Sequence, residues 1–504
     1  MGSGGTGLVV RDHAGERPDG WTAPGQRLVR SAATERVPSL AELGRVHIIG
    51  IAGAGMSGLA ALLLARGVRV SGCEARDSDT LRALHALGAH VSVGHAAGHL
   101  DDVDTVVYST AIPMSHLELR TAADRGLPTF RRAAALSAAV ADRPNIAVSG
   151  THGKTTTTSL ITVAAQSCGL DPSFAIGGNL YESGRNAHFG SGEYAFVEAD
   201  ESDGSFLLLH PRIAVVTNVE ADHLENYGDL DAIFWAFERF VDRIEQDGLL
   251  VACADDPGAR RVAEYARDHG VRVRTYGTAD DADVRVENVV EHPGSVEATV
   301  SGSFGRHDFV LGALIGRHMA LNGAAALTVA AELEMDLDVV AAAWARFNGV
   351  RRRFEFRGEA AGVQVHDDYA HHPTEIAATL RAARAAVGCG RLVAVFQPGT
   401  YSRTQTFATQ FAEAMALADV AVVMDVYPAR EEPIPGVNGA LIASQIPLPE
   451  AQVVYEPRWA ATAGRLADLV RPGDLVVTMG IGDVHLICAE LLAELAVRED
   501  ESAR

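Results

Sequence analysis

The stretch that most restricts the fold runs from Ile146 to about Cys168. A short β-branched run ends at Ser149, Gly150-Thr151-His152-Gly153-Lys154-Thr155-Thr156 follows, and a helical pattern takes over. A glycine loop between a strand and a helix lets backbone amides converge on phosphate oxygens, and the helix N-terminus adds partial positive charge. In such a loop Lys154 reaches the terminal phosphates and Thr155 can hold Mg2+. The spacing is not the full GxxxxGK[ST], because Val148 stands at the first glycine position. Lys154 is also the sole lysine among 43 basic residues, so amine chemistry has one place to happen.

The same strand–helix alternation recurs along the chain. Strands are expected at Val46 to Ile51, Val68 to Ser71 and Thr105 to Ser109, then at Ile146 to Ser149, Tyr194 to Val197, Ile213 to Thr217 and Leu249 to Ala252. A polar strand-like patch covers Asp283 to Leu311, and two Ala-rich helices follow near Asn322 to Met335 and Asp338 to Phe347. The last block has strands at Leu392 to Phe396, Val420 to Met424, Val453 to Tyr455 and Leu475 to Met479. This predicts three α/β domains on mainly parallel sheets. The expected division is a mobile extension over 1–44, domains over 45–143, 144–347 and 348–497, and a tail over 498–504.

Composition narrows the partners. A net charge of −22 argues against non-specific nucleic-acid binding, which needs a basic surface. No apolar run is long enough for a membrane span, and the N-terminus lacks the pattern of a signal peptide. Cys73, Cys168, Cys253, Cys389 and Cys488 are far apart and odd in number. They form neither a disulfide framework nor a metal knuckle, as expected in the cytoplasm. Oligomeric state is expected to be monomer or weak dimer.

Further candidates sit at strand ends. Glu198-Ala199-Asp200-Glu201-Ser202-Asp203 follows a strand beside the phosphate loop, and a carboxylate at such a strand end is where Mg2+ is usually held. His223, at a third strand end, is a candidate ligand for a second cation. Gly53, Gly55 and Gly58 form GxGxxG around Met56 and Ser57, with Glu74 ending the next strand. Alone this suggests a nicotinamide dehydrogenase. Two phosphate loops in neighbouring domains are better explained by one ATP and one substrate linked to a nucleoside diphosphate. Three polar clusters complete the set: Arg351-Arg352-Arg353-Phe354-Glu355, Asp367-Asp368-Tyr369-Ala370-His371-His372-Pro373-Thr374-Glu375 and Gln397-Pro398-Gly399-Thr400-Tyr401-Ser402-Arg403-Thr404.

With these motifs in order over roughly residues 45 to 495, the chain resembles the Mur ligase family of cell-wall synthesis. The resemblance rests on HIIGIAGAGMSG, GTHGKTTT, EADESDGSF, TNVEADHLENY, GRHMALN, FNGVRRRFE, DDYAHHPTE and YSRT. It implies a Rossmann-like N-terminal domain, a central P-loop ATPase-type α/β domain and a C-terminal Rossmann-like α/β domain. The implied reaction joins the lactyl carboxylate of UDP-N-acetylmuramate to an amino-acid amine, through an acyl phosphate formed from ATP.

The implied roles fall on matching residues. Gly150, Thr151, His152, Gly153, Lys154, Thr155 and Thr156 would cradle ATP, and Thr155, Glu198 and His223 would hold Mg2+. His318 and Asn322 would border the adenine, with Arg353 and Asp367 or Asp368 reaching the nucleotide from the C-terminal side. Gly53, Gly55, Met56, Ser57, Glu74, Ser109, Thr110, Asn179 and Ser202 would hold the UDP-sugar. Tyr369, His371 and Arg403 would face the incoming amino acid.

Three departures stand out: Ala52 replaces a glycine, Ile481 replaces a small residue, and Gly399 stands where the family commonly has histidine. The last leaves the amino acid open between L-alanine, another small amino acid and a recycled peptide. A catalytically idle sugar-nucleotide sensor is disfavoured by the intact Lys154, Thr155, Glu198 and His223. Other branches of the family carry a carbamylated lysine, about where Phe237 falls here. With Lys154 committed to ATP, the resemblance favours the alanine-adding branch along with its murein-peptide-recycling relative.

Overall fold

The computed structural model describes residues 24–502 apart from Arg430. Contacts gather the chain into two units. The first takes in the chain up to Gly177, Arg185–Arg285 and Ala324–Asp336; the second takes in Gly178–Gly184, Val286–Gly323 and the chain from Leu337.

The first unit contains a five-stranded sheet of β1 (Val46–Ile49), β2 (Val70–Glu74), β3 (His90–Val93), β4 (Thr105–Tyr108) and β5 (Thr129–Arg131). Its order is β3-β2-β1-β4-β5 with every pairing parallel. A second sheet is built around β6 (Asn145–Ser149), with β7 (Ser173–Ala175), β8 (Ala187–His188), β9 (Ala195–Glu198), β10 (Ile213–Val216), β11 (Leu249–Cys253) and β12 (Arg272–Gly277). The parallel run is β12-β11-β10-β6-β9-β7, with β8 antiparallel at its edge. Every residue of β6, β10 and β11 is buried, which is why these strands read as unbroken apolar runs. β13 (Val284–His292) enters beside β12 through Val284 and Arg285.

In the second unit β14 (Ser295–Gly302) and β15 (Gly305–Gly312) form an antiparallel hairpin. A six-stranded sheet follows: β16 (Glu355–Ala360), β17 (Val363–Asp368), β18 (Leu392–Phe396), β19 (Val420–Val423), β20 (Val453–Tyr455) and β21 (Leu475–Met479). Its order is β16-β17-β21-β18-β19-β20, parallel except for β16. Strand alternation divides β18 between two cores: Leu392, Ala394 and Phe396 pack on one face, Val393 and Val395 on the other.

Two expectations need correction. The extension over 1–44 was expected to be mobile, but Pro24–Ala32 and Leu40–Leu43 are helices. Val29 and Ala32 are fully buried, and Gln26 Nε2 donates to the Tyr227 carbonyl at 3.0 Å. Residues 1–23 lie outside the described residues. Residues 498–502 of the expected tail are also helical, because the last helix runs from Ile487 to Ser502. Among the described residues no helix is long and apolar enough to cross a membrane.

Candidate active site

Three adjacent parallel strands create the site. β6 lies between β9 and β10, so the chain leaves all three carboxyl ends side by side, where α/β sheets bind ligands. After β6, Gly150 has φ 131° and Gly153 φ 84°, and the helix Lys154–Ser167 begins directly. A Cβ on Gly150 would lie 2.1 Å from Thr217 Oγ1, so this glycine is required twice over, by backbone and by space. The segment after β10 braces the loop: Thr151 N donates to the Asn218 carbonyl at 3.0 Å, and His152 N to Asn218 Oδ1 at 2.7 Å. Glu220 N in turn donates to Thr151 Oγ1 at 2.9 Å.

Lys154 folds back on this loop, donating to the carbonyls of Gly150 at 2.7 Å and Thr151 at 3.1 Å. It also pairs with Glu201 at 2.9 Å. Burial alone would lower its pKa, but the Glu201 and Asp200 carboxylates outweigh it and raise it. Asp200 is shifted down: burial opposes ionisation, while Lys154, Arg132 and His223 favour it. Glu201 is shifted up by its burial, with Asp200 adding to the rise against Lys154. The ammonium thus stays charged among carboxylates, a compact point charge at fixed reach.

Thr155 Oγ1 donates to Glu198 Oε1 at 2.9 Å, and Gly177 N donates to Glu198 Oε2 at 2.6 Å. A hydroxyl and a carboxylate together at the helix start are the hard oxygen donors Mg2+ selects, so the residues fit that ion. Thr156 is buried in the helix's first turn. His223 is not at the end of β10 as expected. It lies beyond Val216 at the N-cap of the short helix Leu224–Tyr227, with φ 51°. Its charge bears on Asp200 and Glu201, which places it at the acid cluster all the same.

The other glycine loop also lies in the first unit. Ser57 N donates to the Gly53 carbonyl at 2.8 Å, Met56 is buried, and Ala52 N donates to Glu74 Oε2 at 3.3 Å. Ser109 Oγ accepts from Ala111 N at 3.2 Å, and Thr110 Oγ1 donates to Asp203 Oδ2 at 2.9 Å, tying β4 to the acid cluster. Ser202 N donates to Asp200 Oδ1 at 3.0 Å. One residue went unnoticed in the sequence. Arg132 leans on the loop, with Nη1 2.8 Å from where a Gly55 Cβ would be and Nη2 3.9 Å from Asp200 Oδ2. The Arg131-Arg132 pair after Phe130 was its visible signal.

The remaining candidates belong to the second unit. His318 and Asn322 lie four apart on the helix Arg317–Glu332, and Asn322 is buried. The Asn179 carbonyl accepts from Arg351 N at 3.2 Å. Asp367 is taken up internally: Arg352 Nε donates to it at 3.0 Å and Thr478 Oγ1 at 2.7 Å. Asp368 accepts from the amides of Phe354 and Ala370, each at 2.7 Å. Its burial nevertheless pushes its carboxyl up to about 6, against the Arg353 charge. Arg352 and Arg353 stack on the Tyr369 ring at 5.0 and 5.5 Å. His371 Nδ1 lies 3.0 Å from the Tyr369 carbonyl and 3.2 Å from Glu375 Oε2. Arg403 is buried in the first turn of the helix Tyr401–Met415.

Known proteins match this architecture segment by segment. Residues 45–144 match the model described as Mur ligase family, catalytic domain; 148–330 match the Mur ligase middle domain, and 352–482 the Mur ligase, glutamate ligase domain. A UDP-N-acetylmuramate–L-alanine ligase of Saccharopolyspora erythraea is 55% identical over 90% of this chain and 94% of its own. One of Acidothermus cellulolyticus is 54% identical over 89% and 94%. Among solved structures, the UDP-N-acetylmuramate-alanine ligase of Thermotoga maritima superposes with a TM-score of 0.74 at 25% identity, covering 91% of this chain and all of that one. With a glycine loop at the junction of β6, β9 and β10 and three matched segments in family order, the chain belongs to the Mur ligase family.

Proposed function

We propose that the protein is an ATP-dependent ligase joining the lactyl carboxylate of UDP-N-acetylmuramate to the amine of L-alanine, in the cytoplasm, for peptidoglycan precursor synthesis. The observation that carries this reading is the loop Gly150–Thr156 with its sole lysine, set against Glu198 and the acid cluster. The relatives named for this reaction, similar over nine-tenths of the chain, supply the substrates.

Bound ATP supplies a phosphoryl group that makes the carboxylate a competent acyl donor. Bringing two anions together is mainly a matter of positioning and neutralising charge. The amides of the loop and the start of the Lys154 helix receive the phosphates, and Lys154 exchanges its loop carbonyls and Glu201 for phosphate oxygens. Thr155 and Glu198 would hold Mg2+, with His223 near a second cation. Gly53, Gly55 and Gly58 admit a diphosphate to the helix Ala54–Ala65, Arg132 adds charge beside them, and Glu74 braces the loop. In the second unit Arg353, His318 and Asn322 are assigned to the nucleotide, and Tyr369, His371 and Arg403 to the amino acid. The working division of labour is 45–143 for the sugar nucleotide, 144–347 for ATP and 348–497 for the amino acid.

The test is phosphate release with UDP-N-acetylmuramate and ATP, scanned over single amino acids. L-alanine is expected to give the largest rate. Release indifferent to the amino acid would refute the ligase reading, and release with glycine or serine alone would refute only the substrate. Lys154→Ala should lose about 10²–10³-fold in turnover with circular dichroism unchanged, the range for removing one charge-stabilising donor.

A further inference from the structure

The cysteines looked isolated in the sequence, but the five-stranded sheet gathers one of them into a cluster. His47 on β1, Cys73 on β2, His99 in the 3-10 turn Ala97–Leu100 and Glu118 in the first turn of the helix Leu117–Asp124 meet at one point. One ligating atom from each lies within 4.8 Å of all the others. Cys73 Sγ is 2.9 Å from Glu118 Oε2, His99 Nδ1 is 2.8 Å from Glu118 Oε1, and His47 Nε2 is 3.6 Å from Glu118 Oε2. We propose that His47, Cys73, His99 and Glu118 form a binding site for one divalent transition cation of the zinc class.

Four features carry this. The proposed donors are one thiol, two imidazoles and one carboxylate, the borderline-soft set of a tetrahedral zinc site, with a third imidazole, His95 Nδ1, beside them at 3.1 Å from Cys73 Sγ. Around Zn2+ such donors lie roughly 3.3–3.8 Å apart, as bond lengths of about 2.0–2.3 Å require, so only small rotations are needed. His47 is buried with Nε2 aimed into the cluster and no hydrogen bond to it, while Nδ1 is fixed 3.0 Å from Ser71 Oγ. Orienting one ring nitrogen and freeing the other is how a protein prepares a histidine ligand. Access exists as well: His47, Ser71 and His99 line a cavity of about 440 Å³.

The cation would fasten a specific piece of backbone. The Cys73 carbonyl accepts from Gly50 N at 2.9 Å and Ile51 N at 3.1 Å, where the Gly53–Gly58 loop springs from β1. A closed site here clamps β1, β2 and the Leu117 helix beneath that loop and leaves no open position for catalysis. The proposal stands apart from the ligase reading, since its readout is the bound metal.

The full chain, freed of any histidine tag, is stripped with chelator, refilled with Zn2+ and dialysed, and its metal is measured by mass spectrometry. About one zinc per chain is expected, with a raised Tm. Cys73→Ser and His99→Asn should each retain less than about a tenth of that, with circular dichroism unchanged. Co2+ in place of Zn2+ should show a thiolate-to-cobalt charge-transfer band that Cys73→Ser abolishes, which a cation at the phosphate site cannot produce. No retained zinc, or a cobalt spectrum that Cys73→Ser does not alter, would overturn the site and leave a hydrogen-bonded polar cluster.

Discussion

At the scale of single residues, the environment of a charge decides its use. Lys154 is stabilised as an ammonium by Glu201 and Asp200 against the cost of its burial. An arginine would carry the same charge on a wider planar head, which does not reproduce a compact point charge at this reach. Lys154→Arg is therefore expected to lose at least about tenfold in kcat/KM for ATP; a value near wild type would count against the fixed-reach argument. Asp368 makes a different prediction. Burial raises its carboxyl to about 6, above the ordinary aspartate value of 3.8. The folded state thus binds the proton more tightly, and stability falls as pH rises between those two values. Two pKa units correspond to roughly 3 kcal/mol. Denaturant unfolding from pH 4 to 7 should show this fall, and Asp368→Asn should flatten it.

Within elements, the two departures at 399 and 481 prove to be neighbours. A Cβ at Gly399 would lie 2.6 Å from Ile481 Cδ1, so the loop after β18 and the turn after β21 share one volume. The chain has set the bulk on Ile481 and removed it from 399. Thr400 at φ 65° then starts the Tyr401 helix, its amide donating to the Tyr427 carbonyl at 3.0 Å. Gly399→His is expected to destabilise by about 1–3 kcal/mol, the usual cost of overpacking, and Gly399→His with Ile481→Ala to recover most of it. Additive effects in thermal unfolding would show that the two positions are independent. Strand identity was legible at this scale because buried parallel strands are runs of Val, Ile, Leu and Ala. Leu392–Phe396, Val453–Tyr455 and Leu475–Met479 were read to the residue. β3, β5, β7, β8, β12, β16 and β17 are not legible in the sequence: β5, β7 and β8 are very short, the others mix polar with apolar residues, and Phe174 and Ala187 gain their β character only by pairing with neighbours.

For the whole molecule, the N-terminal segment changes meaning. The helix Pro24–Ala32 packs Val29 against Gly204, whose Cβ would lie 3.0 Å from the Val29 Cα. Gln26 holds the Tyr227 carbonyl, the Tyr227 hydroxyl donates to the Glu201 carbonyl, and the Glu201 carboxylate holds Lys154. A segment that reads as loose sequence therefore buttresses the Gly150–Thr156 loop. Val29→Asp is expected to lower Tm and raise KM for ATP together, since burying a valine contributes roughly 1.5–3 kcal/mol. A lower Tm with unchanged KM would limit the helix to stability. The sequence by itself determined the α/β class, the order of the segments and the glycine loop before the Lys154 helix, because each is written in contiguous residues with their own periodicity or spacing. Only the tertiary structure decided that Arg132 leans on the Gly53–Gly58 loop, that Asp367 is spent on Arg352 and Thr478, and that Cys73 meets three distant side chains. Those contacts depend on which strands become neighbours, and strand order is set by packing across the whole chain.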